Sequence, residues 1–369
     1  MDKKRIMITG AAGYIGAMLI DVFASRDDVE KIFAIDKDDQ TDLTKKHSGK
    51  VIYLKANLAS ANWEILADSI KPEIIIHTAW QIRELYGRRN ISWIYNIVAS
   101  DKVFEFAFSR DYIKRLIHFS TIASYGAFAT NTKEYKYKET DALRETAYIY
   151  AEEKRICEEH LREKYNSIEI ASLSGYNNKP MVMVLRPASI TGPRLRHDIN
   201  KFSLQSALSG RLSRQKGILN KLVVAMTSFM PSTKGWMRQY IHEDDVVDIV
   251  TMLALDQKVK DEYETYNICP AGPVVLGDDM ANALNKRAIN INVRLIRLVF
   301  SFFWHVTRGR VPTAPGVWAG YSYPIAVDGS KITEIYNYKY QYESMAALVT
   351  ESGRYIKSYG QLEQEVKMC

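Results

Sequence analysis

The sequence predicts an α/β chain, with a doubly wound parallel sheet and a smaller, mostly helical C-terminal lobe. Two observations carry this expectation. As far as residue 193, short apolar runs alternate with helical patterns, which is the rhythm of βαβ units. Beyond that point the alternation breaks down, and two stretches rich in Lys and Arg but free of Asp and Glu take over.

Strands are expected at Arg5–Thr9, Lys31–Asp36, Val51–Leu54, Ile74–His77, Leu116–Phe119 and Met181–Leu185, where short, mainly apolar runs occur. Such runs suit strands covered on both faces. Helices are expected near Gly13–Ser25, Trp63–Ile70, Ser92–Arg110 and Tyr150–Tyr165, where apolar residues recur every three or four positions. Arg238–Ile268 reads as a return to the first lobe, with a strand at Gln239–His242, a helix at Asp244–Leu255 and a strand at Thr265–Ile268. The expected division is therefore 1–193 with 238–268 in the first lobe, and 194–237 with 269–369 in the second.

Composition narrows the class. The 369 residues are 47% hydrophobic and 25% charged, which suits a folded chain with a sizeable core. The three cysteines, Cys157, Cys269 and Cys369, share no CxxC spacing, so neither a disulfide framework nor a metal site is expected. Met1-Asp-Lys-Lys-Arg runs directly into Ile6-Met-Ile without a signal-peptide core. The most apolar late run, Leu298–Trp304, is far shorter than the roughly 20 residues of a spanning helix. A cytoplasmic setting without an integral membrane segment is expected.

The net charge of +7 is unevenly placed. Seven bases and no acid lie between Asp198 and Glu243, and six more, again without an acid, between Asp279 and Asp328. Segregation of this kind suggests that the second lobe meets an anionic small molecule. No nucleic-acid motif accompanies the blocks, so nucleic acid is not an expected partner.

The first strand ends in Thr9-Gly-Ala-Ala-Gly-Tyr-Ile-Gly16. Gly10, Gly13 and Gly16 suit a tight turn, close backbone approach to a pyrophosphate, and close packing of helix on strand, with Tyr14 and Ile15 in the first helical turn. The N–H groups at the helix start would hold the phosphates. Asp36 closes the second strand 20 residues after Gly16, where a carboxylate accepts the adenosine ribose hydroxyls and repels a 2′-phosphate. The sheet is thus expected to be Rossmann-type and the cofactor to be NAD.

Tyr150 and Lys154 stand four apart in a strongly helical stretch and so share a face. A cation beside a phenol lowers its pKa toward a useful acid/base range, although such a pair also occurs on solvated helix faces. Ser120 and Thr121 follow the run Leu116–Phe119, at the strand edge where doubly wound sheets bind ligands. Thr121 could hydrogen-bond a substrate hydroxyl or carbonyl.

In this order the residues resemble the extended short-chain dehydrogenase/reductases, the NAD-dependent epimerase/dehydratase family. The resemblance rests on Thr9–Gly16, Asp36, Asn57-Leu58, His77-Thr-Ala79, Asn96, Ser120-Thr121, Tyr125-Gly126, Tyr150 with Lys154, Leu185-Arg-Pro187, Gly192-Pro193, Arg238–Asp245 and Tyr266-Asn-Ile268. It implies that Asn57 and Leu58 border the adenine, that Ala79 and Pro187 border the cofactor, and that Asn96 supports the relay positioning Lys154. Thr121, Tyr150 and Lys154 would be the catalytic set, with Tyr150 the acid/base in reversible hydride transfer at a secondary alcohol carbon. Arg238 and Ser189 would meet the substrate, and two helices per subunit would build a homodimer.

Three departures qualify the resemblance. Ile122 and Ala123 replace the acidic pair of the dehydratases, Ser189 replaces an Asn of the sugar-nucleotide enzymes, and Gly320–Val327 lacks their second arginine. An epimerase or oxidoreductase of a nucleotide-linked sugar is the leading expectation. A hydroxysteroid-dehydrogenase-like enzyme of lipid-like alcohols and a non-catalytic NAD-binding sensor or scaffold are the alternatives.

Overall fold

The computed structural model describes residues 3–60, 62–172, 179–194, 229–256, 258–259, 262–283, 286–348 and 350. Most of the first basic block, expected to be helical, falls on 195–228 and lies outside the described residues. The chain groups into two compact units. One comprises Met1–Ser124, Ala142–Pro187 and Val246–Ile268, and the other Tyr125–Asp141, Ala188–Asp245 and Cys269–Cys369. Relative to the division expected from sequence, 125–141, 188–193 and 238–245 group with the second unit.

The first unit alternates as its apolar runs require. In order it holds β1 (Lys4–Thr9), α1 (Tyr14–Ala24), β2 (Val29–Asp36), the short α2 (Asp42–Lys45), β3 (Val51–Lys55), α3 (Trp63–Ile70) and β4 (Ile74–His77). There follow α4 (Arg89–Trp93), a π-helical turn (Ile94–Val98), α5 (Ala99–Phe108), β5 (Arg115–Phe119), α6 (Ile149–Ser172) and β6 (Met181–Pro187). Two later elements, the helix Glu243–Leu255 and the strand Tyr263–Ile268, precede the final return to the second unit. The helix expected over Ser92–Arg110 is therefore three consecutive pieces, with the π turn in the middle.

The central sheet has seven strands in the order Tyr263–Ile268, β6, β5, β4, β1, β2, β3, and every pairing is parallel. Strand order reverses between β1 and β4, which makes their C-terminal ends the topological switch point of the sheet. Ile6, Met7, Ile8, Ile75, Ile76, Leu116 and Ile117 are fully buried, because helices cover both faces and neither side of these strands can be polar. On one face Trp63, Val103, Phe104, Phe106 and Leu161 pack over Met7, Phe33, Ile75 and Leu116.

Arg115, the first residue of β5, reaches the end of the helix Glu243–Leu255. Its guanidinium donates to the carbonyls of Leu253 and Ala254 at 2.8 Å and of Asp256 at 2.8 Å. These are the orphan acceptors that every helix leaves at its C-terminus, where a cation also meets the negative end of the helix dipole.

The second unit is built from short pairs. Ser189–Thr191 pairs in parallel with Tyr240–His242, Met237–Arg238 antiparallel with Val275–Leu276, and Phe229–Ser232 in parallel with Arg287–Asn290. Met230, Trp236, Tyr240, Val275, Met280 and Leu348 form its core. Glu243 is fully buried and accepts from Arg194 Nε at 2.8 Å and the Arg194 backbone N–H at 2.9 Å.

Arg115→Met is expected to lower the unfolding free energy by about 2–4 kcal/mol, since it strips buried carbonyls of charged donors. Urea denaturation measures it, and an unchanged midpoint would refute the capping role.

Candidate functional site

The switch point is formed by backbones in close approach. Gly10 turns the chain out of β1 with φ +72°, a conformation that a Cβ strains, and a Cβ there would lie 2.6 Å from the Ala79 nitrogen. Gly16 passes so near the Gly10 carbonyl oxygen that a side chain would overlap it. Gly13 donates its N–H to the same carbonyl at 2.9 Å and opens α1 without a side-chain cap. Tyr14 and Ile15 form the first turn of that helix. Its leading N–H groups therefore project beside a turn with no side chain in the way, which is the arrangement that accepts a pyrophosphate.

Asp36 ends β2 beside this turn. One carboxylate oxygen accepts the Ala12 N–H at 2.9 Å and the other the Asp38 N–H at 3.0 Å. Asn57 accepts the Ala59 N–H at 3.0 Å, and Leu58 is buried. Ala79 lies just beyond β4, with its N–H 3.4 Å from Thr9 Oγ1. These residues lie at the C-terminal ends of β1, β2, β3 and β4 of one sheet.

The second cluster sits at the end of β5 and the start of α6. Thr121 is buried and accepts the Ala123 N–H at 3.2 Å. Burial raises the pKa of the neighbouring Tyr150 phenol, and the Thr121 hydroxyl acts the other way. The start of α6 is held by Glu145, whose carboxylate accepts the N–H groups of Thr146, Ala147 and Tyr148 at 3.0, 2.8 and 3.0 Å. Ser124 Oγ adds a bond to the Ala151 carbonyl at 3.1 Å. Sequence reading passed over Glu145; its only signal there is an acidic residue just ahead of a helix start, where a carboxylate satisfies free N–H groups.

Lys154 lies one turn along α6, buried, with its amine on the Phe119 carbonyl and 3.6 Å from the centre of the Trp80 ring. Burial pushes its pKa down to about 7, while Cys157 and Glu158 pull the other way. Trp80 was not foreseen either, because nothing in a sequence tells a cation-binding ring from a packing one. Asn96 sits in the π turn with its amide fully engaged. Its oxygen accepts the Gln81 N–H at 2.7 Å, and its nitrogen donates to Glu153 at 2.6 Å and to the Gln81 carbonyl at 3.2 Å. Its partner on α6 is thus the neighbour of Lys154.

Behind these groups lie two buried imidazoles. His77 is bonded to Thr9 Oγ1 at 2.7 Å and Ser100 Oγ at 2.8 Å, and stacks on His118 with centroids 5.4 Å apart. Burial drives the pKa of His77 down to about 3 and that of His118 well below the usual range, so both rings are neutral. Neither His118 nitrogen has a hydrogen-bond partner among the described residues.

Of the remaining predicted residues, Pro187 ends β6 in the first unit. Ser189 and Arg238 lie in the second unit. Ser189 donates its N–H to the Gln239 carbonyl at 3.2 Å. Arg238 lies over the rings of Tyr321 and Trp236, 5.0 and 5.8 Å from their centres. No group of His, Cys, Asp and Glu suited to a metal ion occurs among the described residues.

Comparison with known proteins gives concordant results. The family model described as "NAD dependent epimerase/dehydratase family" matches residues 6–269. Among curated proteins, an uncharacterized protein of Methanocaldococcus jannaschii is 25% identical over 171 residues, which make up 42% of this chain and 50% of that protein. The match thus spans half of that relative's length. The fold is shared with UDP-glucuronic acid 4-epimerase from Bacillus cereus in complex with UDP-glucuronic acid and NAD, at a TM-score of 0.66 and 17% identity over 97% of this chain and 99% of that one. It is shared too with dTDP-glucose 4,6-dehydratase from Bacillus anthracis in complex with NAD, at 0.64 and 16% over 97% and 98%. The Bordetella bronchiseptica enzyme WbmG in complex with NAD gives 0.64 and 19% over 96% and 95%.

The Lys154 environment predicts a pH signature. An amine with a pKa near 7 in the folded protein and 10.5 in the unfolded chain makes the unfolded state the stronger proton binder between those values. Stability then rises with pH across this window. The component is on the order of a few kcal/mol, and Lys154→Met should lack it. Urea titrations of the cofactor-free protein at several pH values check this. Parallel curves for the two proteins would mean that the amine is not displaced.

Proposed function

The chain belongs to the NAD dependent epimerase/dehydratase family, and within it we propose an enzyme that uses NAD for reversible hydride transfer at a secondary alcohol carbon of a nucleotide-linked sugar. The observation that carries this reading is the Thr121 hydroxyl set beside the Tyr150 phenol, close enough to act on its pKa, with the Lys154 amine one turn along the same helix.

The residues present fit the cofactor. The glycine turn leaves the space that a Cβ would fill, and the start of α1 would turn the positive end of the helix dipole toward a pyrophosphate. Asp36, at the end of β2, would accept the adenosine ribose hydroxyls, as suits NAD rather than its 2′-phosphorylated form. Asn57, Leu58, Ala79 and Pro187 would border the adenine and the rest of the dinucleotide. When bound, NAD supplies the hydride acceptor for the substrate carbon.

The protein's own part is proton handling and orientation. Thr121 Oγ1 and Tyr150 Oη would grip one substrate oxygen. As the carbinol carbon is oxidised, its hydroxyl proton passes to Tyr150 Oη, and the same proton returns when the ketone is reduced. A phenol raised by burial needs a neighbouring positive charge to ionise, and protonated Lys154 is the group to provide it. Because that amine titrates near neutrality, acid/base function of the pair is expected to respond to pH close to 7. Glu153, held by Asn96, fixes the turn that carries Lys154.

For the substrate, Arg238 is the proposed ligand of a nucleotide diphosphate. Aromatic faces orient its guanidinium, whose planar fork suits phosphate oxygens. The absence of an acidic pair at Ile122 and Ala123 favours epimerisation or oxidation over dehydration.

Two measurements test this reading. UDP added to NAD-saturated protein should raise the melting temperature, as a ligand of the folded state must, and Arg238→Ala should abolish the rise. No rise in the parent protein removes UDP-linked substrates. Tyr150→Phe should then lower turnover of a UDP-sugar by about 10²–10⁴-fold, the usual weight of general acid/base catalysis, while NAD affinity is retained. Undiminished turnover would remove Tyr150 from the mechanism.

A further inference from the structure

The helix Val293–Val306 in the second unit has apolar residues on two sides. Ile296 and Trp304 are buried in the unit, with Phe300 and Phe303 half-buried beside them. On another arc Leu295, Leu298, Val299, Phe302 and Val306 face solvent, and Leu298, Phe302 and Val306 keep 67%, 60% and 65% of their accessible surface. At 100° per residue these five positions fall within an arc of roughly 100°, a continuous stripe along three turns. Single exposed apolar residues are ordinary, but a continuous stripe marks an interaction surface.

The charge around the stripe says what it meets. Arg294, Arg297 and His305 line one edge of the helix, and Arg308 and Arg310 follow its end. Arg297 lies over the Trp318 ring at 5.3 Å, and Arg294, Arg308 and Arg310 are exposed. Between Asp279 and Asp328 the sequence contains no Asp or Glu, so the helix and the segments on either side of it bring no carboxylate to this rim. A symmetric contact between two copies would set this rim against itself, like charge on like charge, with nothing of opposite sign contributed by residues 280–327. A sheet of lipid phosphates is complementary to it. Among the described residues no helix is long and apolar enough to cross a membrane, so a helix of this kind would lie on a bilayer rather than span it.

We propose that the helix Val293–Val306 is an interfacial membrane helix. Leu295, Leu298, Phe302 and Val306 enter the acyl boundary of an anionic leaflet, and Arg294, Arg308 and Arg310 sit among its phosphate groups. The inference is independent of the reaction assigned above.

Sedimentation with vesicles of phosphatidylcholine alone, or mixed with phosphatidylglycerol, tests it on the full chain. The protein is expected to pellet with the mixed vesicles, weakly with the neutral ones, and less as salt rises. Leu298→Asp and Phe302→Asp should each weaken binding by about tenfold or more, with circular dichroism and NAD affinity unchanged. These side chains are exposed, so folding should survive the change. Arg294→Gln with Arg308→Gln should weaken binding to the mixed vesicles while leaving the weak neutral binding in place. Three results would overturn the proposal: no sedimentation with either vesicle, undiminished binding of Leu298→Asp, or light scattering in which Leu298→Asp converts a dimer to a monomer.

Discussion

A polar stripe buried along one side of α6 governs the arrangement of the first unit. Glu153, Lys154, Cys157 and Glu158 recur at helical spacing, and each is less than a tenth exposed. Groups of this kind can be buried only where each finds a partner, and the partners come from separate elements. Phe119, the last residue of β5, takes Lys154, and the next residue, Ser120, donates to Glu158. Arg186 on β6 forms a buried ion pair with Glu158 at 2.6 Å, and Ser92 and Asn96 hold Glu153. Sliding or rotating α6 by one residue would orphan several of these groups together. The register of the helix, and with it the position of Tyr150 against Thr121, is therefore set far more tightly than apolar packing alone could set it.

The same logic ties the glycine turn to this helix. Thr9 at the end of β1 is bonded to His77, His77 to Ser100, and Ser100 to the Asn96 carbonyl. Asn96 in turn donates to Glu153. A chain of hydrogen-bonding groups thus runs beneath the sheet from the glycine turn to α6. Within a low-dielectric interior such a chain is stiff, because losing any member leaves its neighbours unsatisfied. The π turn has a place in it. It brings Ser92, Asn96 and Ser100 to successive partners across the α4–α5 run, and π turns of this kind recur at functional sites.

Much of the first unit was legible in the sequence. Apolar runs between helical patterns located the strands within a residue or two, since a strand covered on both faces has little freedom in composition. Gly10, Gly13, Gly16 and Asp36 were readable because a turn that crowds backbone against backbone admits few residue types. The unit boundaries were less legible. Periodicity reports local structure, whereas the allegiance of 125–141 and 188–193 is decided by residues distant in sequence, such as Ala326 and Gln239. Glu145 and Trp80 escaped for a related reason. A carboxylate near a helix start and a lone tryptophan are common, and only coordinates show the three N–H groups or the amine that they hold. The π turn was invisible because one extra residue inside a helix leaves the apolar pattern almost unaltered.

The first unit is assembled from three segments of the chain, and this bears on how it folds. Its outermost strand, Tyr263–Ile268, pairs with β6 only after the excursion through 188–245, and Arg115 finds its carbonyl acceptors 138 and more residues downstream. Closing so long a loop adds little to the free-energy balance, since that entropy grows only with the logarithm of length. It weighs more heavily on the rate, because distant contacts must form before they reward the ordering of the chain. On the ribosome, β1 to β6 would emerge with the β6 edge bare, an unpaired strand open to association until the later segment arrives. The sheet's last strand and the Arg115 cap therefore act together as a late lock, completed only when most of the polypeptide has been made.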